Sequence, residues 1–197
     1  GGTPASFVRN ILFKARNAGV CTSTICVPVT FSGVPATGSA TFQVDCGPYT
    51  DLCAKDPQHS LWGNAPLSIA GPLYVTATDL ILEGGDTDND GDVDINDVTY
   101  FMLRYGTASA IGPGPCPYNG TRDADFSING MVGTEDYTFL VANWLATSGC
   151  TCSLLVEPGT PPIAKGTPLQ ASSQFAAGAA SLQQGGAITR SKIRVSE

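Results

Sequence analysis

The sequence predicts an α+β chain of four parts. These are an antiparallel β-sandwich at 1–83, a loop-helix domain at 84–152, a tether at 153–186 and a C-terminal β-strand at 187–197. Three observations support this division. Apolar residues alternate with period two before residue 83, they recur at helical spacing after residue 97, and Pro, Ala, Gly, Ser and Gln dominate from residue 153.

The N-terminal part has the pattern of short strands separated by turns. Ile25, Val27, Val29 and Phe31 alternate with other residues, and Phe42 begins a second alternating run. Turn-forming residues separate the runs at Gly33, Pro35, Gly38, Gly47, Pro48, Gly63, Asn64, Gly71 and Pro72. Several short strands at this spacing favour an antiparallel sandwich.

The negative charge of the chain is concentrated in one segment. The formal net charge is −7, from 17 acidic and 10 basic residues. Seven of the acids fall within 83–97, at Glu83, Asp86, Asp88, Asp90, Asp92, Asp94 and Asp97. Carboxylates this close repel one another, so a bound cation is expected. The sequence contains no basic patch for nucleic acid and no apolar run long enough to span a membrane.

Residues 86–97 match a twelve-residue calcium loop at every position. Such a loop offers oxygen ligands from positions 1, 3, 5, 7, 9 and 12, and position 6 is glycine because the chain turns sharply there. These positions hold Asp86, Asp88, Asp90, Asp92 (through its carbonyl), Asp94 and Asp97, with Gly91 at position 6. The alternative is an acidic turn that binds no metal.

Residues 125–136 form a second, poorer loop. The ligand positions hold Asp125, Ser127, Asn129, Met131 (through its carbonyl) and Asp136, with Gly130 at position 6. Position 9 is Gly133, which has no side chain, so we expect a water molecule there and weaker binding than in the first loop. The alternative is a loop that keeps the shape without metal.

Helical periodicity follows each loop, about 39 residues apart. The first apolar face consists of Val98, Phe101, Met102 and Tyr105, and the second of Tyr137, Leu140, Val141, Trp144 and Leu145. Residues spaced by three and four lie on one side of a helix, so each set predicts a short helix with a buried face.

These repeats resemble type I dockerins, which carry two D-x-[DNS]-x-[DN]-G-x-x-x-x-x-D loops, each followed by one helix. The likeness covers about 84–149 and rests on GDTDNDGDVDINDVTYFMLRYGT and DFSINGMVGTEDYTFLVANWL. The stretch LCAKDPQHSLW is similar to the sandwich module that precedes such repeats in secreted bacterial surface proteins. The resemblance implies a dockerin-like domain that folds around two calcium ions. Cohesin binding does not carry over in the same way, because loop positions 10 and 11 hold Ile95–Asn96 and Thr134–Glu135 here rather than the usual Ser–Thr pair, so a cohesin-type protein is the alternative partner.

Seven cysteines favour disulfides in an oxidising, extracellular compartment. Cys21 with Cys26, and Cys46 with Cys53, would close short loops, and Cys116 would pair with Cys150 or Cys152. Sequence alone leaves the connectivity open. The chain begins at Gly1 with no visible signal peptide, so we interpret it as a processed product, although a fragment would look the same.

The C-terminal strand on its long tether leads to the functional hypothesis. A strand of this kind can add to the sheet of a neighbouring copy or fold back on its own sheet. We therefore expect a non-catalytic structural protein that self-assembles into a homopolymer, such as a filament or surface layer. The alternatives are a domain that binds a cohesin-bearing scaffold and a carbohydrate-binding surface protein.

No catalytic constellation is visible in the sequence. His59 is the single histidine, and Asp56 lies near it, but no recognisable nucleophile accompanies the pair. We interpret His59 as a turn residue. Trp62 and Trp144 are able to stack on sugars, but Trp144 belongs to the apolar face of the second predicted helix, which favours a core role.

Overall fold

In a computed structural model, the structure describes residues 5–70, 73–110 and 112–152, together with the backbone of 186–195. In chain order the elements are β1 Ser6–Asn17, β2 Val20–Cys21, β3 Ile25–Ser32, β4 Thr37–Val44, β5 Asp51–Lys55, β6 Gly63–Ala70, β7 Leu73–Thr76, β8 Leu80–Leu82, α1 Ile95–Arg104, α2 Thr134–Ala142 and β9 Gly186–Val195.

All nine strands belong to one curled sheet. The strands follow the order β2-β1-β3-β4-β9-β7-β6-β5, and β8 pairs with β9. The two halves of β1 pair on opposite edges, because Ser6–Phe13 lie beside β3 and Leu12–Arg16 lie beside β5. The β1–β5 pairing therefore brings the two ends of the strand order together.

The predicted fold class is wrong. A sandwich needs two separate sheets, whereas the strands of 1–83 and β9 form a single sheet whose long first strand is shared by both ends. The chain is mostly β, and its two described helices have only 10 and 9 residues. They do not form a separate dockerin-like pair of helical repeats, since the acidic loops pack against the sheet. Neither described helix is long and apolar enough to cross a membrane.

Two apolar clusters organise the interior. The larger one lies within the curled sheet and includes Phe13, Phe31 and Phe42. The smaller one lies between the acidic loops and the sheet, and it contains Leu61, Val93, Phe101, Ala124, Phe126, Val132, Phe139 and Leu140. Ile128, at position 4 of the second loop, belongs to the larger cluster. The loops are therefore anchored in the core of the sheet domain by apolar side chains.

Three disulfides join the strands of the sheet to the segment 116–152, which contains the second loop. They link Cys21 to Cys152, Cys26 to Cys116 and Cys53 to Cys150. The predicted short-range pairs, Cys21 with Cys26 and Cys46 with Cys53, do not form, and Cys116 pairs with β3 rather than with Cys150 or Cys152. The reason is topological, because the loop segments return to the sheet and bring distant cysteines together.

The C-terminal strand lies in the sheet of its own chain. β9 is antiparallel to β4 and parallel to β7 and β8. The predicted tether at 153–186 falls almost wholly outside the described residues, which resume at Gly186. The predicted strand at 187–197 overlaps β9, of which the structure describes the backbone as far as Val195.

Candidate metal centre

The first loop begins four residues after the end of β8 and ends in the first turn of α1. Asn89 and Gly91, at positions 4 and 6, have φ angles of +65° and +97°. These left-handed conformations fold the chain back on itself and turn the side chains of the odd positions inward. Asp94 caps α1, and Asp97 accepts a hydrogen bond of 2.8 Å from the Asp94 backbone N–H, which closes the loop.

Three carboxylates of this loop converge. One oxygen from each of Asp86, Asp88 and Asp97 lies within 4.8 Å of the other two. Calcium ligands lie roughly 2.3–2.6 Å from the ion, so oxygens around one ion are separated by about 5 Å or less. Asp86 Oδ1 and Asp88 Oδ1 are buried without a hydrogen-bond partner among the described residues, and so is Asp92 Oδ1. Buried oxygens without donors require a cation or solvent to compensate them.

The two oxygens of Asp86 have different surroundings. Oδ2 accepts hydrogen bonds from the Gly91 backbone N–H at 3.2 Å and from Lys55 Nζ at 2.6 Å. Lys55 comes from the end of β5, and both members of this ion pair are buried. Oδ2 is thus held by two donors, while Oδ1 is left for another ligand. The Lys55 side chain connects the sheet directly to position 1 of the loop.

The pKa values of the loop carboxylates reflect their crowding. Burial raises the pKa of Asp86, although the Lys55 ammonium opposes this effect. Burial, together with the charges of Asp90 and Asp97, raises the pKa of Asp88 to about 6. For Asp92, the hydrogen bond with Asp90 is the main cause that raises the pKa. A bound cation stabilises the ionised form of clustered carboxylates whose pKa values are raised in its absence.

The second loop repeats the backbone of the first with fewer free oxygens. Ile128 and Gly130, at positions 4 and 6, have φ angles of +55° and +89°. Both oxygens of Asp125 accept hydrogen bonds from backbone N–H groups, those of Asn129 and Gly130. In Asp136, the oxygens accept from the N–H groups of Ser127 and Gly133. Asn129 Oδ1 accepts from the Met131 N–H, and the Met131 side chain is exposed. The protein therefore satisfies these side chains more fully than those of the first loop.

The two loops are paired reciprocally with the segments that follow the helices. Val93 exchanges backbone hydrogen bonds with Leu145 and Ala146, just after α2. The equivalent residue of the second loop, Val132, exchanges them with Gly106 and Thr107, just after α1. Each partner in one set lies 39 residues from its counterpart, which is the period predicted from the sequence. Each loop is thus supported by the end of the other repeat.

Sequence analysis missed a buried charge network next to the second loop. Arg9 Nε donates to Asp56 Oδ2 at 2.7 Å, and Arg9 Nη2 donates to Gln58 Oε1 at 2.8 Å. His59 lies between two carboxylates, with Nδ1 3.4 Å from Asp56 Oδ2 and Nε2 3.1 Å from Asp123 Oδ2. Asp123 precedes the second loop by two residues. His59 is in a turn, as predicted, but it is also buried and ion-paired.

The charged groups in this network shift the pKa values of one another. Burial alone would raise the pKa of Asp56, but Arg9 and His59 lower it well below the ordinary range. Burial and the charge of Arg9 tend to lower the pKa of His59, yet its two carboxylate neighbours prevail and raise it. The pKa of Asp123 falls to about 2, because its interaction with His59 outweighs burial. This chain of ionisable side chains joins the sheet to the second loop.

Apolar side chains in and just after the two helices are exposed, and four of the five named next (all but Leu103) were predicted to lie on a buried helix face. Phe101 and Leu140 are in the core, but Met102, Leu103, Val141, Trp144 and Leu145 have exposed fractions of 64%, 75%, 59%, 46% and 69%. We call these five residues the helix surface, although Trp144 and Leu145 belong to the turn that follows α2. The prediction that Trp144 is a core residue is wrong, because α2 ends at Ala142 and Trp144 lies in the turn beyond it. Trp62 is partly buried, with Lys14 Nζ 4.5 Å above its ring.

Comparison of the chain with known proteins does not assign it to a family. No protein-family model, curated protein or solved structure matches the chain. The functional argument therefore depends on the residues and geometry of the chain itself.

Proposed function

We propose that this protein is a non-catalytic, extracellular, calcium-binding structural protein that forms an assembly of identical chains. The observation that carries the proposal is the first loop, where carboxylate oxygens converge and two of them are buried without donors. In this proposal one calcium ion is held by Asp86, Asp88, Asp90, Asp94, Asp97 and the carbonyl of Asp92.

A second, weaker calcium site is proposed at the second loop. Its ligands are Asp125, Ser127, Asn129, Asp136 and the carbonyl of Met131. The matching left-handed positions support the same loop conformation, but hydrogen bonds already satisfy its two carboxylates. Binding there displaces more existing interactions, so we assign it the lower affinity.

A structural role fits these loops better than a switching role. Position 12 is aspartate in both loops rather than the longer glutamate of calcium sensors, which limits bidentate closure. Three disulfides and the Lys55–Asp86 ion pair also fix the loop segments to the sheet. Calcium therefore adds rigidity to an already restrained subunit. Disulfides of this number support an oxidising environment such as the cell exterior.

Self-assembly is supported by two features of the described residues. β9 completes the sheet from the far end of a long connecting segment, and the helix surface presents apolar area to solvent. Exposed apolar side chains are a common feature of protein interfaces. Identical subunits that meet through different surfaces form open chains rather than closed rings when the rotation between them does not close.

Electron microscopy with and without a chelator tests the proposal. We expect regular polymers of the purified protein in millimolar calcium, and we expect them to fray or dissolve in a chelator. Dispersed monomers in both conditions would exclude the polymer. Polymers that ignore the chelator, together with an unchanged melting temperature, would exclude the calcium role, because binding to the folded state contributes about 2.7 kcal/mol at a hundred times the dissociation constant.

The helix surface also favours a second candidate function, which is calcium-dependent docking onto a cohesin-type partner. Helices with exposed apolar residues fit a groove or sheet face on another protein. A pull-down from the native extracellular fraction separates the two functions. Capture of one heterologous cohesin-type protein, lost on chelation and on Trp144→Ala, supports docking, whereas recovery of the protein itself alone supports self-assembly.

A further inference from the structure

We propose that copies of this chain exchange β9, so that β9 of one copy occupies the slot between β4 and β7–β8 of the next. This inference rests on the proposed self-assembly and names the surface that performs it. The slot is defined by the strands that flank β9 in the sheet, and its occupant is a second copy of the same chain.

The slot offers backbone pairing on both sides. β9 pairs with β4 at seven positions, from Thr37 with Arg194 to Val44 with Gly186. On its other side it pairs with Leu73 and Tyr74 of β7 and with Leu80–Leu82 of β8. Within the described part of the chain, no other strand connects β4 to β7. A copy whose β9 is elsewhere therefore has two open edges facing one gap, and open edges bind strands.

The connection to β9 is long enough to reach a neighbour. The preceding described residue, Cys152, is fixed to Cys21 by a disulfide, and residues 153–185 separate it from Gly186. An extended segment of these 33 residues reaches about 110 Å. A compact chain of 197 residues has a radius of gyration of about 16 Å. The same slot can therefore be filled from another copy with no change in its pairing.

Strand exchange of this kind can continue from one copy to the next. A copy that receives β9 from one neighbour is free to donate its own β9 to another. The donated strand and the accepting slot are different surfaces, so the contact is head-to-tail and forms an open chain unless the geometry closes it. The structure also predicts how assembly depends on concentration. Insertion within one chain is favoured by an effective concentration on the order of millimolar or below, so exchange requires crowded copies or additional contacts between subunits.

Site-specific disulfide formation tests the exchange with two single variants, Ser39→Cys and Lys192→Cys. Ser39 is exposed on β4 and is paired with position 192 of β9. The variants are mixed before assembly in calcium, oxidised mildly, digested and analysed by mass spectrometry. A peptide linking positions 39 and 192 can arise in this mixture only between two chains. We expect this linked peptide in the polymer fraction and its absence from monomers.

Two controls make the result decisive. The double variant with both substitutions, kept as a dilute monomer, should form the same bond within one chain, which shows that the pair can be oxidised. Replacing Ser39→Cys with Gln43→Cys moves the thiol out of register, since Gln43 pairs with Ala187, and no link to position 192 is expected.

The outcomes separate this inference from the proposed function. Polymers without a link between chains, together with a link within the double variant, would overturn strand exchange and leave self-assembly intact. Failure to form any polymer in calcium would overturn both. A link found only in closed dimers would support exchange but overturn the open chain.

Discussion

The ion pair between Lys55 and Asp86 gives a quantitative test of the first calcium site. The perturbation is Lys55→Met, which removes the ammonium group and keeps a long apolar side chain. In the protein, Lys55 Nζ donates to Asp86 Oδ2 at 2.6 Å, and both side chains are almost completely buried. Without calcium, the substitution leaves the Asp86 carboxylate buried with backbone N–H donors alone, among them those of Gly91 and Asn89.

The expected magnitude depends on whether calcium is present. Removing one partner of a buried ion pair costs about 3–5 kcal/mol, because the remaining charge is left uncompensated. We expect this loss of unfolding free energy in a chelator. In saturating calcium the ion neutralises the charge of Asp86. The remaining loss of unfolding free energy is then that of replacing the apolar part of the lysine side chain with that of methionine, below about 1.5 kcal/mol. The calcium affinity should rise, because a positive charge beside the first ligand is gone.

Urea unfolding of the wild-type protein and the variant, each with calcium and with chelator, measures the four free energies. Lys14→Met is the matched control, since Lys14 lies on neighbouring β1 and contacts the ring of Trp62 rather than the loop. The control should change stability by about 1 kcal/mol or less in both conditions. An equal loss for Lys55→Met with and without calcium would refute the argument, because Asp86 would then not be shared between lysine and metal.

Three further predictions concern the other parts of the site. The raised pKa of His59 means that protonation of this side chain stabilises the folded state. The stabilisation should be complete below about pH 6.5 and should decrease as the pH rises through the pKa of His59 in the folded protein. Denaturation in saturating calcium at several pH values should show this decrease, and the His59→Gln variant should lack this pH dependence. Calorimetry should find two calcium ions per chain, the tighter lost in Asp86→Asn and the weaker lost in Asp125→Asn; loss of both in either variant would contradict independent loops. Cys53→Ser with Cys150→Ser should cost about 2–5 kcal/mol, measured by thermal unfolding, because the disulfide closes a loop of sequence separation 97; an unchanged melting temperature would show that the bond adds nothing.

Local patterns in the sequence predicted local structure well. The twelve-residue spacing placed glycine where the chain turns in each loop, and Gly91 and Gly130 indeed have positive φ. Alternation of apolar residues predicted strands at β3 and β4, and helical spacing predicted α1 and α2. These features succeed because they depend on residues close in sequence, whose period matches the geometry of the element.

Contacts between segments far apart in the chain could not be predicted from the sequence. The period of two in β1 does not reveal that its halves pair with different strands, so a sandwich was predicted where one curled sheet exists. The disulfide partners lie 90 to 131 residues apart, and no local spacing indicates them. Lys55 carries no local signal of its link to Asp86.

The covalent and ionic links change what calcium is expected to do. If the loops were a separate domain, removal of calcium would loosen the loops alone. Here the loops are attached to the sheet through Cys53–Cys150, through Lys55–Asp86 and through His59–Asp123. β5, which ends at Lys55, lies beside β6, and β6 in turn pairs with β7 at the border of the β9 slot. The first loop is therefore connected to the slot through three neighbouring strands, β5, β6 and β7. We expect calcium binding at this loop to make the sheet edge that receives β9 more rigid. The proposed calcium ion would thus stabilise the sheet edge at which the proposed strand exchange joins the next copy.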